Sequence, residues 1–103
     1  MIAEIVTFSH PEGLTREEIV AGALSVVPHW QADPDLIRKH FLVSDDNRQG
    51  AGIYIWPSRE AAQKAHSAAW IARKEAETGS KVTITYYDLF LVVDNQAGTV
   101  TQP

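Results

Sequence analysis

Cysteine is absent from the chain. Disulfides, thiolate nucleophiles and thiolate-held zinc or iron–sulfur centres are thereby excluded together, and the fold needs no oxidising compartment. Positive charge is scarce: nine Lys and Arg stand against thirteen Asp and Glu, a net charge of −4. No basic run or basic helix face occurs, which argues against a phosphate backbone as the main ligand, so nucleic acid is not an expected partner. Long apolar runs are missing as well. Nothing approaches the roughly 20 residues that a membrane-crossing helix needs, and Met1-Ile2-Ala3-Glu4 has no basic segment leading into an apolar one. No membrane is expected as a partner, and a cytoplasmic location follows as the expectation.

What remains suffices for one domain. A chain of 103 residues with 45% hydrophobic and 21% charged side chains is too apolar for disorder and of the size that builds a single core. Ile2 to Ser9 alternates and is rich in Ile, Val, Thr and Phe, the pattern of a strand, and His10-Pro11-Glu12-Gly13 breaks it. Thr15 and Glu18 have capping-box spacing, so a helix starts there. Its stripe of Ile19, Val20, Ala23, Leu24 and Val27 ends at Pro28. Leu36 to Ser44 reads as a second strand, Asp45 to Gly50 as a hairpin turn and Gly52 to Trp56 as a third strand. Ser58 is the N-cap of one long helix reaching Thr78, with Gly79 as a left-handed C-cap. Lys81 to Val93 is the fourth strand. This places a domain over 1–93 and a tail over 94–103 that packs on a partner subunit.

The order strand, helix, strand, strand, helix, strand is the split βαβ arrangement: an α+β, ferredoxin-like βαββαβ fold with a four-stranded antiparallel sheet and both helices on one face. Both parities of the fourth strand are apolar, Ile84, Tyr86, Phe90 and Val92 on one and Tyr87, Leu89, Leu91 and Val93 on the other. The third strand repeats this with Ile53 and Ile55 against Tyr54 and Trp56. Two helices cover one face only, and an exposed face of that size exceeds what a soluble monomer carries. A homodimer is the expected remedy.

The second helix carries Ala61, Ala62, Ala65, Ala68, Ala69, Ala72 and Ala76 on one stripe. Small residues there permit close helix–sheet packing, make room for large sheet residues, or leave space for a ligand. Along one flank lie Arg59, His66, Trp70 and Arg73, an imidazole, an aromatic wall and fixed cations within successive turns. The plain alternative is a solvated amphipathic margin. His10, His29 and His40 form no local pair with metal-ligand spacing, so no metal is expected. Gly50-Ala51-Gly52 lacks the third glycine and following helix of a dinucleotide fingerprint, and no cofactor is expected.

Asp35-Leu36-Ile37-Arg38-Lys39, Gly52-Ile53-Tyr54-Ile55-Trp56, Ser58-Arg59-Glu60-Ala61-Ala62 and Val92-Val93-Asp94-Asn95 together resemble the YdhR-like monooxygenases of the dimeric α/β barrel superfamily. The resemblance implies a ligand cavity inside each protomer between helices and sheet, with the opposite sheet face building the dimer. Cofactor-free relatives oxidise phenolic polyketides. A haem-degrading branch binds haem through a histidine on the second helix, the element that carries His66, together with an asparagine on strand one. Ile2 to Ser9 contains no asparagine, so haem is not expected.

The expected function is a cofactor-independent monooxygenase acting on a small aromatic or enolisable substrate between the second helix and the sheet. His66 would be the base and Arg73 the anion stabiliser, with Tyr54, Trp56, Trp70 and Tyr86 binding the substrate. The alternatives are a non-catalytic small-ligand-binding or stress-response protein and an isomerase or lyase using the same base. The two-faced sheet predicts a dimer at micromolar concentration by light scattering; a stable monomer would contradict it.

Overall fold

Four segments, each with one parity richer in apolar residues, pair into one antiparallel sheet in a computed structural model that describes residues 1–103. They are β1 (Ile2–Ser9), β2 (Arg38–Val43), β3 (Gln49–Trp56) and β4 (Thr83–Asp88), in the spatial order β2-β3-β1-β4. The helices are α1 (Arg16–Gln31), α2 (Arg59–Ala65) and α3 (Ala68–Thr78). This is the ferredoxin-like α+β fold. A second hairpin, β5 (Val92–Asp94) with β6 (Thr99–Thr101), stands apart from the main sheet. No helix is long and apolar enough to cross a membrane.

Register decides which side chains share a face, because alternate residues point to opposite sides. Glu4 lies opposite both Tyr54 and Tyr86, Ile2 opposite Trp56, and Lys39 opposite Tyr54. This face meets the helices in a core of Val6, Trp30, Tyr54, Trp56, Ala62 and Val82. Ile5, Leu42, Ile53 and Tyr87 have the other parity and take no part in that core; Tyr87 is 58% exposed.

The expected helix signals are present. Thr15 and Glu18 form both halves of a capping box, Ser58 accepts from the Ala61 amide, and Gly79 closes α3 with φ 69°. Several boundaries differ from expectation. Helix α1 does not stop at Pro28 but runs through it to Gln31. Proline loses its own amide bond and crowds the carbonyl one turn back; the Ala32 amide still reaches the Pro28 carbonyl at 3.1 Å, and buried Trp30 anchors the last turn.

The second helix is two helices. His66 takes φ −107° and ψ 61°, outside the helical region, and Ser67 caps α3 by accepting from the Trp70 amide at 3.2 Å. The alanine stripe consequently does not continue: Ala62 is fully buried, while Ala68, Ala69, Ala72 and Ala76 are exposed, and α3 turns Trp70, Ile71 and Lys74 inward instead.

The fourth strand also ends early, at Asp88, where the Leu89 amide bonds to the Met1 carbonyl at 2.8 Å. The 93/94 boundary drawn from the sequence falls inside β5, and residues after it complete a hairpin.

Two glycines of the fold respond in opposite directions to an added methyl group. A Cβ at Gly52 would lie 2.8 Å from the Tyr54 ring, which is buried and cannot retreat, so Gly52→Ala should lose about 1–3 kcal/mol in urea unfolding. Gly22 has open space in α1, and Gly22→Ala should gain about 0.5–1 kcal/mol from helix propensity. Equal effects from the two changes would contradict the packing described.

Candidate functional site

The middle of β1 places a carboxylate where its neighbours in parity, Ile2, Val6 and Phe8, are apolar. Glu4 is 0% exposed. The Trp56 indole N–H donates to Glu4 Oε1 at 2.9 Å, and His66 Nδ1 lies 2.8 Å from the same oxygen, close enough for an ion pair but not aligned as a hydrogen bond. This is the only contact within 4.0 Å between a carboxylate and a basic side chain in the protein. Glu4 Oε2 and His66 Nε2 have no hydrogen-bond partner within the protein. Such a buried pair costs desolvation on both sides and holds only while both members are present.

Aromatic rings enclose His66, which is 4% exposed. The Tyr54 and Trp70 rings each meet it edge-on at 4.5 Å between centroids, Trp30 lies at 5.4 Å and Trp56 at 6.4 Å. The chain brings the imidazole here because it sits at the α2–α3 break, facing the sheet. Burial and the negative charge of Glu4 both push the Tyr54 hydroxyl up from its ordinary value. Tyr86 is raised by burial first, then by the charge and hydrogen-bonding pull of Glu4, with the Arg59 guanidinium, 4.7 Å above its ring, opposing.

On the far side of Tyr54 and Trp70 opens a cavity of about 640 Å³ between α1, α3 and the sheet. Its apolar wall includes Ile19, Ala23 and Trp30 from α1 and Phe41 from β2. Three cationic side chains also line it: Lys39, Arg73 and Lys74. The Lys39 ammonium lies 3.6 Å from the centre of the Phe41 ring, 4.5 Å from Trp30 and 4.7 Å from Tyr54. Burial, reinforced by the charge of Lys74, brings its pKa down to about 7. Lys74 is lowered by burial against the opposing pull of Glu77, and its ammonium stands 4.4 Å over Phe8. His10 is lowered by burial and then by Lys74.

Of the residues singled out in the sequence, Tyr54, Trp70 and Arg73 line this cavity. His66 and Trp56 lie behind its wall in the Glu4 cluster, and Tyr86 joins Glu4 from β4 rather than facing the cavity. The cavity belongs to α1 and α3, so the space expected between the whole second helix and the sheet is displaced towards the first helix. Glu4 and Lys39 were not read as site residues. Each is a charged residue on an otherwise apolar parity, Glu4 among Ile2, Val6 and Phe8 and Lys39 beside Phe41 and Val43, and that mismatch was the available signal. No three His, Cys, Asp or Glu side chains converge closely enough to hold a metal ion.

No family model matches the sequence, and no curated protein matches it. Solved structures do match the fold. SnoaB, a cofactor-independent oxygenase from Streptomyces nogalater, superposes with TM-score 0.61 at 13% identity, over 85% of this chain and 91% of that one. Rv0793 from Mycobacterium tuberculosis gives 0.61 at 15% identity, over 86% and 95%. An antibiotic biosynthesis monooxygenase gives 0.62 at 13% identity, over 84% and 97%. At these identities the likeness establishes the ferredoxin-like architecture and transfers no residue roles.

Removing one member of the buried pair strands the other. Glu4→Leu should destabilise by about 3–5 kcal/mol, whereas Glu4→Leu combined with His66→Leu should cost clearly less than the sum of the single changes. A double-mutant cycle by urea unfolding measures this, and additivity would show that the two groups do not interact.

Proposed function

We propose that the chain is a cofactor-independent monooxygenase, of the YdhR-like kind its sequence resembles, acting on a small aromatic or enolisable molecule. The observation that carries the reading is the aromatic-walled cavity lined also by Arg73, Lys39 and Lys74. A molecule with an acidified CH₂ group needs little else. Loss of a proton leaves a carbanion electron-rich enough to reduce oxygen directly; the hydroperoxide that forms then loses water, so that R₂CH₂ and O₂ become R₂C=O and H₂O. The protein supplies a proton acceptor, a compensating positive charge and a water-poor space.

In this reading the substrate ring lies against Tyr54 and Trp70, and Arg73 stabilises the developing anion. His66 is the proton acceptor. Its Nε2 has no protein partner, and substrate reaches it when the Trp70 indole swings aside. Trp56 and Tyr86 hold the Glu4–His66 pair from behind. SnoaB, described as a cofactor-independent oxygenase and alike in fold, supports the class of chemistry. We further place the protein as a homodimer through its uncovered sheet face, with the β5–β6 hairpin against the partner, since Phe90, Val93 and Val100 on and beside that hairpin are largely exposed.

One observation favours a second reading, binding without turnover: His66 is separated from the cavity by the rings of Tyr54 and Trp70. Oxygen uptake over a panel of anthrones and quinols, corrected for spontaneous oxidation, decides between them. Turnover is expected on at least one compound, with kcat/KM falling about 100-fold or more in Arg73→Ala and in His66→Ala. Full turnover in both variants would remove the assigned roles, and loss in Lys39→Met with retention in His66→Ala would move the base to Lys39. Binding of the panel with no enzyme-dependent oxygen uptake would leave the non-catalytic reading.

A further inference from the structure

The cavity is lined by basic side chains that no carboxylate touches. Lys39, Arg73 and Lys74 line it, and none has a carboxylate within 4.0 Å, because the only such contact in the molecule is Glu4 with His66. Two carboxylates do reach the cavity wall. Glu18 is occupied in the cap of α1, accepting from the Thr15 amide at 3.3 Å and the Thr15 hydroxyl at 3.0 Å. Glu77 acts on Lys74 from the same helix. His10 also faces the cavity, with its charged form disfavoured by burial, and His29 lies exposed at the end of α1.

Lys39 is the least compensated of these groups. It projects from β2 into the apolar part of the cavity, and its surroundings are the faces of Phe41, Trp30 and Tyr54. Ring faces favour a cation but do not cancel its charge, and buried charges are as a rule paired. The missing partner is an anion. The remaining wall is aromatic, and the volume lies within the roughly 300–1,000 Å³ typical of small-molecule sites.

We propose that the cavity binds a planar aromatic carboxylate, its carboxylate on the Lys39 ammonium and its rings against Trp30, Tyr54 and Trp70. That this ligand is also the substrate rests on the oxygenase reading; that it binds does not. A consequence follows for protons. Free Lys39 has a pKa of about 7, and a bound carboxylate favours the ammonium, so the pKa rises in the complex. Above pH 7 the amine must therefore take up a proton when the anion binds, and affinity falls as pH rises; at pH 6 the proton is already in place and uptake is small.

The test uses 2-naphthoate, charged throughout this range, and its neutral counterpart 2-naphthamide. Calorimetry at pH 6 and pH 8, each in two buffers of different ionisation enthalpy, gives both affinity and proton uptake. At pH 6 naphthoate should bind about tenfold or more tightly than naphthamide, the expected worth of one charge-assisted contact. At pH 8 uptake should reach about 0.4 proton or more per naphthoate, rising towards one as the contact strengthens. Lys39→Arg should keep the preference and lose the uptake, because a guanidinium stays charged. Lys39→Met should lose both while melting as a folded protein.

Equal affinity for the two probes, no binding of either, no uptake by the unaltered protein at pH 8, or a preference surviving in Lys39→Met would each overturn the proposal. Naphthoate binding with the expected uptake but no oxygen consumption on any substrate would sink the oxygenase reading and leave this one standing. Oxygen consumption with no charge preference would do the reverse.

Discussion

A carboxylate with no access to solvent sits on the central strand of the sheet, and the surrounding side chains are arranged around it. Glu4 takes the indole N–H of Trp56 and the Nδ1 of His66 on one oxygen, while Tyr54 and Tyr86 flank it from the neighbouring strands. The desolvation cost of such a group is several kcal/mol unless its partners are in place. Those partners come from β3 and from the junction of α2 and α3, so one buried charge ties together elements far apart in sequence. The break at His66 and Ser67 belongs to this arrangement: His66 leaves helical geometry there, and the capped start of α3 gives Trp70 a new direction.

The same rings separate two electrostatic environments. On the inner side, Glu4 and His66 meet within a closed cluster. On the outer side, Lys39, Arg73 and Lys74 meet an open apolar space without a carboxylate contact. Tyr54 and Trp70 belong to both, packing on His66 and lining the cavity. The inner pair backs these rings, and a supported wall lets a small domain present a shaped site. The uncompensated outer charge then gives the site a preference among ligands of similar shape, because a neutral analogue leaves the cation without its partner.

Local signals were legible in the sequence. The strands of the sheet, the Thr15–Glu18 capping box, the Ser58 and Gly79 caps and the order of elements follow from alternation and from short-range hydrogen bonding, which the chain encodes within a few residues. The interruption at His66 was not legible, because alanines continue at helical spacing through it and Ser67 competes as a cap against strong helix formers on both sides. Pro28 misled in the opposite sense, since the helix continues past the lost hydrogen bond and the ring's crowding of the preceding turn to bury Trp30. In the site, Trp70, Arg73 and Tyr54 could be grouped because they lie on one helix flank and its facing strand. Glu4 and Lys39 could not: their partners are fixed by strand register and by the packing of α1 and α3, which are long-range consequences of the fold.

The central claim is that ligand binds in the space between α1, α3 and the sheet, outside the Glu4–His66 cluster and with its negative charge on Lys39. A crystal structure of the protein grown with 2-naphthoate tests it most directly. The naphthalene rings should lie against Tyr54 and Trp70, with the carboxylate within hydrogen-bonding distance of Lys39 Nζ. Naphthoate bound only on the open sheet face, or seated in the cavity with its carboxylate turned away from Lys39, would contradict it.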